Sequence, residues 1–276
     1  ALFQNENYKE AINEFKECGN YDDSVKRIEE SCYLYGRQLE NNEEFVSAIE
    51  MYESSNGYKD SVEKIENIKS NHPMLFANVG ELVKFGTYEQ DNDYEDGKEE
   101  IEWIVIDKEG NSVLLISNYC LDCKPNVDGG GSYTWKYSLL YPWLTQTFFN
   151  EAFSEEEQEK IISPKDAGVT EIIFSDVPDD KITLLNTEEA DMFFDSDASR
   201  KAYPTEYAIS QGVYVDGDNG YVDAGGGSCL WYLRPPSGSS TSMVYVAHVN
   251  GWLSYYVAKG NNDMGVRPVI WVDSSK

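Results

Sequence analysis

The stretch CLWYLRPPSG (residues 229–238) decides how the second half of this chain is read. Arg234 follows a Trp-Tyr pair and precedes two prolines, shortly after Gly225-Gly226-Gly227. Pro235-Pro236 force an extended exit, because the ring of a proline pushes the preceding residue out of the helical region. Leu230 and Trp231 are apolar, so the guanidinium leaves an apolar strand. Arg267 stands in a matching context, ahead of Pro268 and the apolar run Val269-Ile270-Trp271-Val272. In a chain with 50 carboxylates, both arginines are expected to be partly buried framework groups. Each would be held in a forked geometry by a carboxylate or by loop carbonyls. Trp231 and Trp271 belong to the same expected framework, and anion or ligand recognition is the alternative for the two arginines.

The chain has 276 residues and a formal charge of −28, enough length for two domains with their own cores. Residues 1–72 hold 8 Lys/Arg against 16 Asp/Glu, and the remainder 14 against 34. Both parts repel a phosphate backbone, which disfavours nucleic acid as a partner. No run of apolar residues reaches the roughly 20 that a membrane helix needs. The chain opens at Ala1-Leu2-Phe3 without a methionine, so an upstream segment is expected.

An internal repeat organises the first part. Tyr8, Ala11, Ile12 and Phe15 recur as Phe45, Ala48, Ile49 and Tyr52 at an offset of 37 residues. Tyr21, Asp23, Ser24, Val25 and Ile28 recur as Tyr58, Asp60, Ser61, Val62 and Ile65 at the same offset. A period of this size predicts stacked helical hairpins. Val25, Ile28, Cys32, Tyr35 and Leu39 predict one apolar helix face, capped by Asp22-Asp23-Ser24. Gly36, Phe45, Ala48 and Tyr52 resemble the spaced signature of tetratricopeptide repeats, although the tryptophan and closing proline of that signature are missing. With so few repeats, a spacer or docking role is expected.

Composition shifts near SNHPMLFANVGE (residues 70–81): no tryptophan precedes it and six follow. The boundaries read 1–72 for a helical-repeat domain and 77–276 for the second. Its segments ELVKFGTYE, EIEWIVID and NSVLLIS predict strands, with Lys108-Glu109-Gly110-Asn111 turning between the last two. Leu140, Trp143, Leu144, Thr147 and Phe148 predict one face of a helix. Ser154 and Glu157 form a capping box whose helix is expected to run through Ile161 and Ile162, and Asn186 and Glu189 form another. PTEYAISQG predicts a short helix stopped by Gly212, and the glycine- and serine-rich stretch beyond it predicts short strands with long loops.

Seven ordered segments, EIEWIVID, VLLISNYCLD, YTWKYSLLYPWLTQTFFNEAFSEEEQEKI, KITLLNTEEA, PTEYA, CLWYLRPPSG and GVRPVIWV, resemble an uncharacterised bacterial family of unknown function. That family is similar to the C-type-lectin-like fold, which formylglycine-generating enzymes also use. Tyr232 and Pro235 stand where the family more often has tryptophan and serine. The resemblance implies an α+β chain: TPR-like α-helical hairpins, then a C-type-lectin-like mixed antiparallel β-sheet domain with short helices and long loops. It further implies a membrane anchor upstream and exposure at the cell surface, outside the cell.

The chemistry-bearing residues are sparse. Cys120 and Cys123 form one CxxC, but with only His72 and His248 and no second CxxC they cannot complete a four-ligand zinc site. A redox CxxC opens a helix, whereas this one follows a strand and runs into Lys124-Pro125. Cys229 stands alone in sequence, so the copper and oxygen chemistry of formylglycine-generating enzymes is not carried over to it. No nucleophile elbow accompanies His248. DNDYEDG (residues 91–97) fails the EF-hand pattern because Asp96 holds the glycine position, and in DGDNGYVD (residues 216–223) glycine comes one residue early. Solvated turns are the expectation, with Asp216, Asp218, Asn219 and Asp223 retained as calcium candidates. Trp252, Tyr255 and Tyr256, in a loop-rich region, are the ligand-binding candidates, because aromatic faces stack on sugar rings or anchor a protein. Alternation would set Trp252 opposite Tyr255 and send Trp252 to the core.

The expected function is therefore a non-enzymatic, surface-exposed binding protein that presents a lectin-like module for a carbohydrate or protein ligand on a helical spacer. No catalytic residues, cofactor or metal set is expected, calcium excepted as above. A formylglycine-generating-enzyme-like catalytic domain and a purely structural interaction module are the alternatives.

Overall fold

The 37-residue period is a period of helix pairs. The computed structural model describes residues 7–19, 23–128, 132–169, 173–216, 227–236, 241, 243–257 and 264–275. It divides into two compact units, residues 1–76 and 77–274. In the first, α1 (Tyr8–Glu17) and α2 (Ser24–Asn41) are followed by α3 (Phe45–Ser54) and α4 (Ser61–Asn71), and then by the single turn α5 (Pro73–Phe76). Helices α1 and α3 each have ten residues and start 37 apart; α2 and α4, of 18 and 11 residues, also start 37 apart. Ala11 and Ile12 are buried on α1 as Ala48 and Ile49 are on α3.

Helix α2 lies against both α1 and α3, so it buries more than one stripe. Cys32, Tyr33, Gly36 and Leu39 go inward, while Val25, expected on the apolar face, is exposed. Tyr33 packs on Tyr52 and Tyr58 at ring separations of 5.8 and 5.6 Å and donates its hydroxyl to Asp60 at 2.6 Å. Burial and then this carboxylate push the Tyr33 pKa up to about 12. Asp23 does not cap α2 with its side chain; it pairs with Arg27 at 3.0 Å.

The second unit is mixed α+β. Strands β1 (Leu82–Tyr88), β2 (Glu99–Glu109) and β3 (Ser112–Ser117) form an antiparallel meander. The short strands β4 (Tyr119–Cys120) and β5 (Asp122–Cys123) follow. A helix then runs from α6 (Leu140–Pro142) through a π-helical segment (Trp143–Phe148) into α7 (Phe149–Ala152). Leu140, Leu144 and Phe148 are buried along it, while Thr147 is exposed and Trp143 half-buried. Helix α8 (Glu155–Lys160) carries the Ser154–Glu157 capping box but stops at Lys160. Ile161 and Ile162, expected on that helix, form β6 instead. Two β-branched residues fit a pleated, half-buried ladder better than a helical turn.

Beyond β6 come β7 (Ile182–Thr183), α9 (Thr187–Phe193), α10 (Asp197–Arg200), β8 (Tyr203–Pro204) and α11 (Glu206–Ser210). The closing strands are β9 (Trp231–Leu233), β10 (Met243–Ala247), β11 (Leu253–Val257), β12 (Gly265–Val266) and β13 (Val269–Asp273). One sheet has the order β1-β2-β3-β13-β6, with β7 also on β13, and all of these pairs are antiparallel. The last strand thus joins the sheet of the first. Every residue of β3 is buried, as expected of a strand covered on both faces. A second sheet has the order β11-β10-β9-β12-β5, in which only β9 and β12 run parallel; β4 and β8 form a separate parallel pair.

Gly36 marks a close helix contact in the first unit. A Cβ there would sit 2.9 Å from the Tyr52 ring and 3.2 Å from the Ala48 carbonyl. Although alanine favours helix over glycine, Gly36→Ala is expected to destabilise the helical unit by about 1–3 kcal/mol through overpacking. Denaturant melts of the full chain followed by far-UV circular dichroism measure the loss.

Candidate functional site

Arg234, the residue after β9, is fully buried and fully occupied. Its Nε and Nη2 donate to the two Asp176 oxygens at 3.1 and 2.8 Å, a bidentate fork. Nη1 and Nη2 donate to Oε2 and Oε1 of Glu189, both at 2.5 Å, and Nη1 also reaches the Leu184 carbonyl at 2.5 Å. The Phe174 ring lies 5.2 Å from the guanidinium carbon. Burial alone would lower the guanidinium pKa, but Glu189 and Asp176 outweigh it and hold the pKa above its ordinary value. Glu189 serves three segments at once. It takes the backbone N–H groups of Asn186 and Phe174 at 2.9 Å each as well as the arginine, so α9's capping box and the β9 exit share one carboxylate.

Arg267 is buried differently. Among the described residues it pairs with no carboxylate, and a single carbonyl holds it without the expected fork. Nε donates to the Ser117 carbonyl at 2.7 Å, Nη1 has no hydrogen-bond partner, and the group lies between the Trp231 and Phe194 rings at 5.1 and 5.4 Å. Burial pulls its pKa down to about 10, with Cys120 and Cys229 opposing that pull. The guanidinium therefore stays charged at neutral pH, its cation facing ring surfaces and thiols.

Those thiols form a cluster that the sequence conceals. Cys229 Sγ lies 3.3 Å from Cys120 Sγ, across 109 residues, and both side chains are fully buried. Cys120 therefore sits against Cys229, and Cys123 is buried a short way along on β5. None of the three is in a disulfide. The Cys120 contact and then burial push the Cys229 pKa well up, while Arg267 pulls it down. Gly265 on β12 permits this closeness, since a Cβ there would meet Cys120 Sγ at 2.7 Å. Asp122, between the two CxxC cysteines, is buried too; it accepts from the Tyr88 hydroxyl at 2.7 Å and pairs with Lys124 at 3.1 Å.

The aromatic candidates lie on the β10–β11 hairpin, at the end of the second sheet. Trp252 is 62% exposed and Tyr255 60%. Trp252 precedes β11, so alternation does not govern it and the expected burial does not occur. Its carbonyl accepts from His248 N at 2.7 Å and closes the hairpin while the ring faces solvent. Tyr255 pairs with Tyr245 across the ladder, ring centres 6.0 Å apart. Tyr256 is half-buried opposite the buried Val244. Asp216 is buried, its backbone N–H bonded to the Ser228 carbonyl at 3.0 Å. Asp218, Asn219 and Asp223 lie outside the described residues. Trp231 and Trp271 are buried, and His248 is half-buried in the hairpin loop.

Fold and site together define a mixed α+β module with a frame braced by buried arginines and an aromatic edge facing solvent. Residues 110–274 match the family described as a domain of unknown function (DUF6273), and the chain belongs to that family. No curated protein and no solved structure matches the chain. The matched region holds both arginines, the three clustered cysteines and the aromatic hairpin.

Three outcomes test this geometry. Arg234→Ala, which strands Glu189 and Asp176, is expected to cost about 3–5 kcal/mol in denaturant unfolding. Lys165→Ala, which removes an exposed pair with Asp179, should cost no more than about 1 kcal/mol. Among the five cysteines only Cys18 is exposed, so an aromatic disulfide reagent should titrate one thiol in the native chain and five after unfolding.

Proposed function

We propose that residues 77–274 are a C-type-lectin-like, non-enzymatic binding module carried on a TPR-like helical spacer, and that the β10–β11 edge holds its ligand, a carbohydrate or a protein. The observation that carries this reading is the pair of large aromatic rings, Trp252 and Tyr255, exposed on an edge hairpin. Ring faces stack on sugars and anchor protein partners without any cofactor. The joining of first and last strands in one sheet supports the lectin-like assignment. The close fit of Gly36, Ala48 and Tyr52 supports the TPR-like one. The module's place is at the cell surface, on an anchor upstream of this chain; among the described residues no helix is long and apolar enough to cross a membrane.

One observation favours a second reading, a catalytic domain of the formylglycine-generating kind: the Cys120–Cys229 pair. Against it stands burial. Both thiols are out of contact with solvent, and a substrate would have to displace Gly265 and the Arg267 frame to meet them.

A glycan array read in calcium and in chelator, with affinity capture for protein partners, tests the binding reading. Trp252→Ala and Tyr255→Ala are each expected to weaken the detected interaction by about tenfold or more, as loss of an anchoring ring does. Both should leave thermal stability close to wild type because the rings are exposed. Binding that survives both substitutions contradicts the proposal, as does turnover of a thiol-containing peptide lost in Cys229→Ser.

A further inference from the structure

The loop between β1 and β2, residues 89–98, holds five carboxylates and one lysine, and sequence spacing alone makes it a solvated turn. The fold collects a different set of carboxylates from the one a linear motif would use. Glu89 follows β1, Glu99 opens β2, and the register sets Tyr88 opposite Glu99. Asp91 turns back onto both, and one carboxylate oxygen from each of the three lies within 4.8 Å of the others.

Among the described residues, no lysine, arginine or histidine forms an ion pair with Glu89, Asp91 or Glu99. Lys98, the nearest basic residue in sequence, extends instead to the Glu151 carbonyl at 2.7 Å. Backbone groups serve two members: Glu99 accepts from Gln90 N at 2.6 Å and Asp91 N at 3.3 Å, and Asp91 accepts from Asp93 N at 2.8 Å. Glu89 is served only in part, by the Asn92 backbone. It is 6% exposed, and its Oε1 is buried with no hydrogen-bond partner.

A buried carboxylate oxygen without a donor, set against two further carboxylates, is unfavourable unless something positive completes it. Burial, then the charges of Glu99 and Asp91, push the Glu89 pKa up; burial and neighbouring carboxylates do the same to Asp96 in this loop. Like charges this close repel one another, and a bound cation relieves that repulsion.

We propose that Glu89, Asp91 and Glu99 form a calcium site. The donors are all oxygen, which selects a hard cation over zinc or copper. Two oxygens that share a calcium at about 2.3–2.6 Å lie no more than about 5 Å apart, and the three carboxylates meet that limit. Magnesium demands a near-ideal octahedron at about 2.0–2.1 Å and gives up its waters reluctantly, so an irregular set of three carboxylates favours the larger ion. An ion here would also fix α11, because Tyr207 N donates to the Gln90 carbonyl at 2.9 Å and Ser210 Oγ to Asn92 Oδ1 at 2.9 Å.

The test is calorimetric titration and thermal unfolding of the full chain, chelator-treated, with calcium chloride and magnesium chloride. One calcium is expected to bind and raise Tm, with magnesium at least tenfold weaker. Glu89→Gln is expected to raise Tm in chelator, by removing the repulsion, and to weaken calcium at least tenfold; Asp91→Asn weakens calcium likewise. Asp179→Asn, a surface control, keeps wild-type affinity. The proposal is overturned by any of four results: no calcium binding, equal affinity for magnesium, unchanged affinity in Glu89→Gln and Asp91→Asn, or equal loss in Asp179→Asn, which would mean diffuse binding to an acidic surface.

Discussion

Glu189 holds together three pieces of chain that no local preference would assemble. Its carboxylate closes the capping box of α9, ties down Phe174, whose φ of 56° is in the left-handed region, and receives Arg234 from the end of β9. Arg234 in turn grips Asp176 and the Leu184 carbonyl just beyond β7. Since β7 belongs to the first sheet and β9 to the second, this buried cluster bolts the two sheets together. Removing either charge leaves the others stranded out of water, so the cluster fixes one arrangement rather than adding generic stability.

The two arginines solve one problem in different ways. Arg234 meets full charges and ends with its pKa raised, whereas Arg267 meets a carbonyl, two rings and two thiols and ends with its pKa lowered. Only the first can be broken by removing a carboxylate. The second ties β13 and its neighbours to the cysteine cluster, which makes Cys120 and Cys229 part of the frame's packing. Outside that frame, exposed rings stand on the β10–β11 edge and three carboxylates gather at the β1–β2 loop.

Much of this was legible where the signal is local. The 37-residue offset located the paired helices, and both capping boxes could be read from four-residue patterns. Legibility failed where a partner is remote. Ile161 and Ile162 look helical until β13, more than a hundred residues on, supplies a ladder. Val25 looks buried until α2 is seen to serve two neighbours, with Tyr33 turned toward Asp60. The Cys120–Cys229 contact and the Glu89–Glu99 juxtaposition depend on strand register, which spacing along the chain does not encode. Trp252 looks buried by strand periodicity, which begins only at the next residue, Leu253.

The central claim is that Arg234 and Glu189 are one structural unit. A double-mutant cycle with Arg234→Met and Glu189→Leu, read by denaturant unfolding of the full chain, measures it most directly. A coupling energy of about 2–3 kcal/mol is predicted, the upper range for contacting residues. A coupling within about 0.5 kcal/mol of zero, the additivity of distant sites, would contradict it.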